Sequence, residues 1–368
     1  MGHPHGIGII GLGAISKAYL DTLTLAPGIR IAAVADLDSA RARAVADELP
    51  DASALTVSEL LASPDVDTVL NLTIPAAHAE IALAAIAQGK RVYGEKPLAA
   101  VLHEAVDVMV AADAAAIGVG CAPDTVLGTG IQTARVAIED GLIGRPTAAT
   151  AVMASPGHEL WHPNPDFYYR PGGGPLLDMG PYYVTALVHL LGPIRSVVGA
   201  SSTPRATRTI GSGPREGEVI GVDVETHVTG VLEHHSGALS TLTTSFDSAR
   251  TTAAPIEVHG EAGSLVVPDP NTFAGDVRLF RVGDDDWRTL APSAGYLDSA
   301  RGVGLIDLVT ATPERPARAS GAVALHVLEA MTALLESARS GARIALETTV
   351  ERPLLVPLTA RDEWLRSE

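Results

Sequence analysis

A lysine with two distinctive neighbours stands at the end of a short apolar strand. Lys96 follows Glu95 and precedes Pro97, directly after the predicted strand at residues 90–93. Burial lowers the pKa of a lysine, so a buried lysine here can exchange a proton with a bound hydroxyl near neutral pH. The alternative is a surface lysine beside a turn, and the three residues alone leave it open.

A second pair of polar side chains follows the glycine run at residues 172–174. Asp178 and Tyr182 are four residues apart, so a helix that begins at the glycines places both on one face. A carboxylate and a phenol side by side can orient a hydroxyl group and relay its proton. The alternative is a helix start in which the acid is a cap and the tyrosine packs in the core.

Aromatic and imidazole side chains crowd the segment before that glycine run. Such rings commonly line carbohydrate pockets, and four of them are predicted to contact a substrate: His158, Trp161, His162 and Tyr168. The alternative is a rigid structural loop. Metal binding is not predicted, because Pro163 disfavours the helix that would bring His158 and His162 together, and no Cys/His ligand spacing occurs.

The elements that position these groups begin with an apolar strand at residues 7–10. It runs into Gly11-x-Gly13-x-x-Ser16 and then a helix, which is the context of a dinucleotide fingerprint. Gly11 allows the tight turn, and Gly13 leaves room for a pyrophosphate at the free N–H groups of the helix. Ser16 fills the third glycine position with another small side chain. A chance glycine-rich turn is the alternative.

The second strand, at residues 29–36, ends in an acid about 20 residues beyond the glycines. A carboxylate there accepts both ribose hydroxyls of NAD and repels the 2′-phosphate of NADP, so Asp36 favours NAD over NADP. The alternative is that Asp36 or Asp38 only caps the helix that starts near Ser39. Arg41 is one helical turn further on and could meet a 2′-phosphate, although a solvated helix residue is the simpler interpretation.

Strand and helix patterns alternate along the first part of the chain, as in βαβ units that build a parallel sheet. The strands are predicted at 7–10, 29–36, 67–72, 90–93 and 117–120, and the helices at 39–48, 58–62, 78–88 and 103–115. After a helix at 128–140, strands follow at 147–154, 194–202, 225–232, 238–245, 256–260 and 277–282, and then a long helix at 322–340. We therefore predict an α/β protein. Residues 1–122 form an N-terminal Rossmann domain that binds a dinucleotide. Residues 123–368 form an α+β domain with an open, mostly antiparallel sheet for substrate binding and oligomerisation.

Composition excludes several classes of partner. The 368 residues carry a formal net charge of -17, which argues against nucleic acid and anionic membranes. The single cysteine, Cys121, cannot form an internal disulfide and fits the reducing cytoplasm, which is the predicted location. No apolar run of ~18 residues is free of charge and glycine, so no membrane span is predicted. His3 and His5 are predicted to belong to a disordered tail.

The ordered set of motifs resembles the glucose–fructose oxidoreductase/inositol dehydrogenase (Gfo/Idh/MocA) family over nearly the whole chain. The set comprises Gly11-x-Gly13-x-x-Ser16, Asp36, Thr73-x-Pro75-x-x-His78, Glu95-Lys96-Pro97 and the glycine-rich segment of Asp178. The resemblance implies cofactor contacts from Gly11, Gly13, Ala14 and Ile15 at the pyrophosphate, Asp36 at the adenosine ribose, and Leu72, Thr73, Pro75 and His78 along the cofactor. It also implies that Glu95, Lys96 and Pro97 lie near the nicotinamide, with a Lys–Pro bond that is commonly cis.

One departure from the family pattern bears on the chemistry. Many sugar and inositol dehydrogenases of the family carry a histidine four residues after the aspartate, whereas this chain has Tyr182 there. It resembles the tyrosine-using branch, which implies that Tyr182, its pKa lowered by Lys96, exchanges the proton while Asp178 orients the hydroxyl. A histidine-based relay is correspondingly in doubt.

The resemblance implies an NAD(P)-dependent oxidoreductase acting on a secondary hydroxyl of a sugar, polyol or related cyclic alcohol, and a homo-oligomer, either dimer or tetramer. Two alternatives stay open. One is a glycoside-cleaving enzyme that oxidises its substrate transiently with bound NAD, and the other is a catalytically silent NAD-binding sensor. Intact Lys96, Asp178 and Tyr182 argue against the silent sensor.

Overall fold

The computed structural model describes residues 4–366, which form two compact units. The first contains the described residues up to Thr129, the segment Ala294–Leu325 and the described residues from Pro353 on; the second contains Gly130–Ser293 and His326–Arg352. The units are therefore not two continuous stretches, whereas the sequence predicts a single boundary between residues 122 and 123. The later segment joins the first unit through its edge strand, since the Ala319 carbonyl accepts the N–H of Cys121 at 3.0 Å.

The first unit is built on a six-stranded parallel sheet with helices between the strands. Its elements are β1 (His5–Ile10), α1 (Ser16–Leu23), β2 (Ile29–Ala35), α2 (Ser39–Asp47), β3 (Ser53–Ala54), α3 (Val57–Ala62), β4 (Thr68–Asn71), α4 (Pro75–Ala87), β5 (Arg91–Gly94), α5 (Leu102–Ala115) and β6 (Val119–Cys121). The strand order is β3-β2-β1-β4-β5-β6, so the direction of winding reverses between β1 and β4. Ligands of such sheets bind at the carboxyl ends of the strands beside this reversal. The predicted Rossmann fold is confirmed.

The second unit is built on a nine-stranded, mostly antiparallel sheet. Its elements are α6 (Thr129–Glu139), β7 (Pro146–Ala154), α7 (Gly174–Leu191), β8 (Ile194–Ser202), β9 (Thr207–Thr209), β10 (Val219–Gly221), β11 (His227–His234), β12 (Leu239–Ser245), β13 (Ile256–Gly260), β14 (Gly263–Val267), β15 (Val277–Arg281) and β16 (Arg288–Leu290). The chain then forms α8 (Val303–Val309), α9 (Gly321–Ser340), β17 (Ile344–Ala345) and α10 (Arg361–Trp364). The order of the large sheet is β16-β15-β14-β13-β7-β12-β11-β8-β17, and β9 pairs with β10 separately. This confirms the predicted second sheet.

Two paired glycines let α9 lie close to the large sheet. Gly199 of β8 and Gly230 of β11 stand opposite each other in the register. A β-carbon on Gly199 would lie 2.5 Å from the Leu334 carbonyl oxygen, and one on Gly230 would lie 2.5 Å from the Leu334 Cδ1 atom. Any larger residue at either position would therefore push the helix off the strands.

One described helix, α9, has the length and apolar composition of a membrane span, which the sequence did not predict. It has 20 residues, and 67% of its most apolar 18-residue window is buried inside the protein. Leu334 of this helix packs on the sheet at the glycine pair, and the Ser337 hydroxyl accepts the Gly199 N–H at 2.9 Å. These contacts are those of a core helix.

One prediction about the N-terminus is wrong. His5 does not belong to a disordered tail but begins β1, where its Nε2 atom lies 2.8 Å from the Thr68 hydroxyl of β4. His3 lies outside the described residues. Pairing with both neighbouring strands stabilises the start of β1, and a single sequence does not show such pairing.

Candidate active site

The turn after β1 has the form of a phosphate cradle. Gly11 has φ +92°, and a β-carbon on it would lie 2.7 Å from the Leu72 carbonyl oxygen, so only glycine fits. Beside the α-carbon of Gly13 the space is open for 4 Å. The helix α1 that follows has no side-chain cap and no acid in its first turn. A helix start without a side-chain cap and the open space beside Gly13 suit the pyrophosphate of a dinucleotide, so the residues present fit such a cofactor.

The carboxylate of Asp36 is fixed from two sides at the end of β2. Its Oδ2 atom accepts the N–H of Leu12 inside the glycine turn, and its Oδ1 atom accepts the N–H of Asp38, both at 2.8 Å. Partial burial opposes ionisation, but these two bonds and the Arg41 guanidinium lower the pKa of Asp36 below its usual value. Asp36 is therefore an anion at neutral pH.

The capping alternative for Asp36 is not what the structure shows. The cap of α2 is Asp38, whose side chain accepts the N–H groups of Ala40 and Arg41. Arg41 turns back toward the acid, with Nη1 at 3.4 Å from both Asp36 oxygens. Asp36 is thus left at the strand end, where a ribose would be bound.

The loops after β4 and β5 are held together by one histidine. His78 is buried, and its Nδ1 and Nε2 atoms lie 2.7 Å from the Pro97 carbonyl oxygen and 3.0 Å from the Thr73 carbonyl oxygen. Thr73 is fixed in turn, because its hydroxyl donates to the Asn71 side chain at 2.7 Å. His78 therefore braces the two predicted cofactor loops, of which the loop after β4 continues into Pro75 at the start of α4.

The Glu95-Lys96-Pro97 segment lies at the carboxyl end of β5. The Glu95 N–H donates to the Asn71 carbonyl at 2.9 Å, which ties the segment to β4. Lys96 is half-buried, and the Lys96–Pro97 peptide bond is cis, as the resemblance implies. The glutamate side chain accepts hydrogen bonds from the Tyr19 hydroxyl at 2.8 Å and from the Lys96 N–H at 3.1 Å.

In the second unit, α7 carries the other polar pair. The helix begins at Gly174 with Gly173 as its cap, so Asp178 is an interior residue of the helix and not its cap. Tyr182 follows one turn later and is buried. The Asp178 carboxylate lies 3.1 Å from the Nε2 atom of His158. The glycine run thus serves to start the helix that carries both residues.

The predicted aromatic loop is an interlocked ring cluster. The His158 ring packs against Tyr168 at 4.6 Å, Trp161 at 5.2 Å and Phe246 at 4.4 Å between ring centroids. His162 lies 5.4 Å from Trp161 and 5.5 Å from Tyr168. Trp161 is nonetheless 58% exposed and presents a ring to the surface. All four predicted residues belong to this cluster.

The surroundings of His158 decide which of its ring nitrogens carries the proton. The buried Nδ1 atom of His158 has no hydrogen-bond partner among residues 4–366. The tautomer with its proton on Nε2 therefore leaves no buried donor unpaired and donates that proton to the Asp178 carboxylate. We assign this tautomer from the hydrogen-bond pattern.

A buried ionic network anchors the loop, and sequence reasoning missed it. Arg208 is buried and donates to Glu159 at 3.1 Å and to Asp247 at 2.7 Å. The other Glu159 oxygen accepts the hydroxyl of Tyr169. Because Glu159 adjoins His158 in a single 3₁₀ turn, the network also fixes His158. No local pattern signals pairing between residues 49 positions apart.

The predicted site residues gather separately in the two units. Those for the cofactor follow the strands β1, β2, β4 and β5 at one edge of the parallel sheet. Those for the substrate lie on α7 and on the loop before it, except Lys96, which follows β5 in the first unit. No group of three or more metal-ligating side chains occurs within residues 4–366.

Two family models match the chain along most of its length. Residues 5–120 match the oxidoreductase family with an NAD-binding Rossmann fold, and residues 131–266 match the GFO/IDH/MocA C-terminal domain. The chain belongs to the Gfo/Idh/MocA oxidoreductase family. The predicted family is thereby confirmed, and with it an enzyme whose relatives are dehydrogenases and reductases.

Individual relatives cover most of the chain. A 1,5-anhydro-D-fructose reductase of Ensifer adhaerens is 32% identical over 267 residues, which are 70% of this chain and 74% of that protein. A D-xylose 1-dehydrogenase (NADP(+)) of Haloferax volcanii is 29% identical over 92% of this chain and 99% of that protein. Shorter matches, over 25% and 29% of this chain, are to inositol 2-dehydrogenases of Agrobacterium fabrum and Gluconacetobacter diazotrophicus at 43% and 41% identity. The crystal structure of an NAD-binding oxidoreductase from Klebsiella pneumoniae matches with a TM-score of 0.80 and 25% identity, covering 93% of this chain and 98% of that one.

Proposed function

We propose that this enzyme moves a hydride between a nicotinamide and a secondary hydroxyl or keto group of a sugar, polyol or related cyclic alcohol. The observation that carries the proposal is the Asp178 carboxylate, held by His158 one helical turn from the buried Tyr182. An ionised carboxylate accepts a hydrogen bond from a substrate hydroxyl and so orients the carbon that bears it. The sugar dehydrogenase and reductase names among the relatives support this substrate class.

The cofactor contacts are proposed at the edge of the parallel sheet. When bound, a nicotinamide dinucleotide supplies the acceptor or donor of the hydride. Gly11, Gly13, Ala14 and Ile15 would hold its pyrophosphate, and Asp36 its adenosine ribose. Leu72, Thr73, Pro75 and His78 would line it as far as Glu95, Lys96 and Pro97. Because the family includes a relative named for NADP, membership alone does not decide the cofactor, and we propose NAD on the charge of Asp36.

Lys96 and Tyr182 are proposed to move the proton. A cationic lysine beside a phenol favours the phenolate, so Tyr182 can take the proton of a bound hydroxyl near neutral pH. Asp178 would hold that hydroxyl. The Nε2–H group of His158 would keep the Asp178 carboxylate oriented toward the substrate hydroxyl. Trp161 would offer its exposed ring to the apolar face of the substrate, with His162 and Tyr168 behind it.

A panel of sugars and cyclic polyols tests the proposal. With NAD present, at least one member should increase the absorbance of NADH, and an Asp178→Asn variant should be slower because a neutral amide orients a hydroxyl less strongly. Glycoside cleavage without net NADH formation would instead establish the transient-oxidation alternative. Tight cofactor binding with no turnover of any member would favour a silent sensor and contradict the proposal.

We also propose a homo-oligomer assembled through the large sheet. Val198 of β8 and Val231 of β11 are directly paired, and both are exposed, as is Leu239 of the neighbouring β12. Contiguous exposed apolar side chains on a sheet mark an interaction surface. The sheet and the lone buried cysteine fit a cytoplasmic oligomer.

Light scattering should give a multiple of the 37.9 kDa chain mass. The Val231→Asp variant should shift the mass toward the monomer, because it places a charge in the proposed contact. The Val219→Asp variant is the matched control, since that valine is exposed on the separate β9–β10 pair. A wild-type monomer would rule out the assembly.

A further inference from the structure

We propose that Tyr19 is a positioning residue for Lys96, acting through Glu95. The Tyr19 hydroxyl donates to Glu95 Oε1 at 2.8 Å, and Glu95 Oε2 accepts the backbone N–H of Lys96 at 3.1 Å. The carboxylate thus bridges a helix side chain and the backbone of the lysine. The inference rests on the proposed function of Lys96.

The bridge is fixed at each of its parts. Tyr19 is fully buried in α1, so its ring cannot turn without displacing the core. The Glu95 backbone N–H donates to the Asn71 carbonyl at 2.9 Å, which fixes the point of the backbone from which the carboxylate extends. Burial and the neighbouring Glu95 carboxylate raise the pKa of Tyr19 well above its usual value, so the phenol remains a hydrogen-bond donor.

Tyr19 connects the lysine segment to the proposed pyrophosphate site. Tyr19 lies on α1, which begins at Ser16, directly after the glycine turn proposed to hold the pyrophosphate. The same short helix therefore forms the phosphate cradle and carries the hydroxyl that fixes the lysine segment. Reaction rates are sensitive to such placement, since a displacement of about 1 Å can cost a factor of about 10².

Tyr93 provides a matched control within the same core. It is fully buried like Tyr19, but its hydroxyl has no hydrogen-bond partner among the described residues. Replacing either tyrosine by phenylalanine removes one buried oxygen atom. Only the Tyr19 replacement leaves a carboxylate oxygen without its donor, which is the costly outcome.

The experiment compares the variants Tyr19→Phe, Glu95→Asp and Tyr93→Phe. Aspartate keeps the charge but is one methylene shorter, so it cannot reach both the Tyr19 hydroxyl and the Lys96 N–H. Three quantities are measured in the full chain: hydrogen exchange of a peptide covering residues 94–99, the Kd for NADH, and kcat on the best substrate of the panel.

For Tyr19→Phe and Glu95→Asp we expect exchange of the peptide covering residues 94–99 to rise about tenfold or more, and kcat to fall by about 10- to 100-fold. In Tyr19→Phe the Kd for NADH should stay within about threefold, because Tyr19 is not among the proposed cofactor contacts and the glycine turn is untouched. Tyr93→Phe should change none of the three. The double variant Tyr19→Phe/Glu95→Asp should be scarcely slower than the slower single variant, because both changes break one bridge.

Unchanged exchange at residues 94–99 in Tyr19→Phe would overturn the inference, as would the same changes in Tyr93→Phe. A loss of NADH affinity in proportion to kcat would do so too, since it would indicate general damage to the domain. If Tyr19→Phe does not fold, Glu95→Asp decides on amide exchange and kcat. If the wild type turns over no substrate, the proposed function fails, while exchange and NADH binding still decide the role of Tyr19.

Discussion

Replacing Lys96 by methionine or Tyr182 by phenylalanine should each lower kcat by about 10²- to 10⁴-fold, the usual contribution of a positioned acid or base. Under the proposed relay, Lys96→Met removes the cation that would favour the phenolate, and Tyr182→Phe removes the phenol itself. The double variant should be scarcely worse than the worse single one, because residues that act as one unit are not additive. Steady-state kinetics on the best substrate of the panel would measure all three.

Tyr183→Phe is the matched control for this experiment. Tyr183 is the next residue of α7 and is also buried, but burial and the Asp269 carboxylate raise its pKa, so it stays protonated. We expect its kcat to remain within about twofold of the wild type, because the change removes no proton-transfer group. The Kd for NADH should also be unchanged in Tyr182→Phe if the phenol contacts substrate and not cofactor.

A near-normal kcat in Tyr182→Phe would contradict the proposed relay. The acid–base role would then pass to an imidazole, with His158 and His162 the first candidates. His158→Gln and His158→Leu separate two roles, since glutamine keeps an N–H donor for Asp178 and leucine does not. Activity in the glutamine variant alone would identify His158 as a donor that holds Asp178, and not as the proton acceptor.

The parts of the fold that local patterns encode were predictable from the sequence. The glycine turn, the strand that ends before Asp36 and the helix that starts at the glycines before Asp178 each depend on residues close in sequence. The strands β8 and β13 were predicted with the bounds that the structure shows, because apolar and β-branched residues mark them. The order of these local motifs along the chain then indicated the enzyme family.

Long-range pairing was not predictable in the same way. The Tyr19–Glu95 bridge joins residues 76 positions apart, and the Arg208–Glu159 ion pair joins residues 49 apart. The residues adjacent to Arg208 in the sequence do not indicate that its charge is buried, because its burial results from the packing of segments that are distant in sequence. The return of Ala294–Leu325 to the first unit escaped prediction for this reason too. β14 and α8 were missed as well, since each is short and lies between turns.

Cofactor choice should follow the charge of Asp36. The wild type should bind NADH more tightly than NADPH, because two like charges about 4 Å apart near a protein surface repel by about 4 kcal/mol. Asp36→Asn removes that charge and should lower the ratio of the NADPH Kd to the NADH Kd by up to about 10³-fold, since every 1.4 kcal/mol is a factor of about ten. Fluorescence titration of both reduced cofactors gives the two constants.

Variants at Asp38 and Arg41 show whether the effect is specific to the charge of Asp36. Asp38→Asn also removes one negative charge, yet asparagine caps a helix as well as aspartate, so the Kd ratio should be that of the wild type. In the Asp36→Asn background, Arg41→Ala should weaken NADPH binding again, because Arg41, which lies 3.4 Å from the Asp36 carboxylate in the wild type, is then free to meet a 2′-phosphate. Tighter binding of NADPH by the wild type would show that Arg41 outweighs Asp36 and that the proposed preference for NAD is wrong.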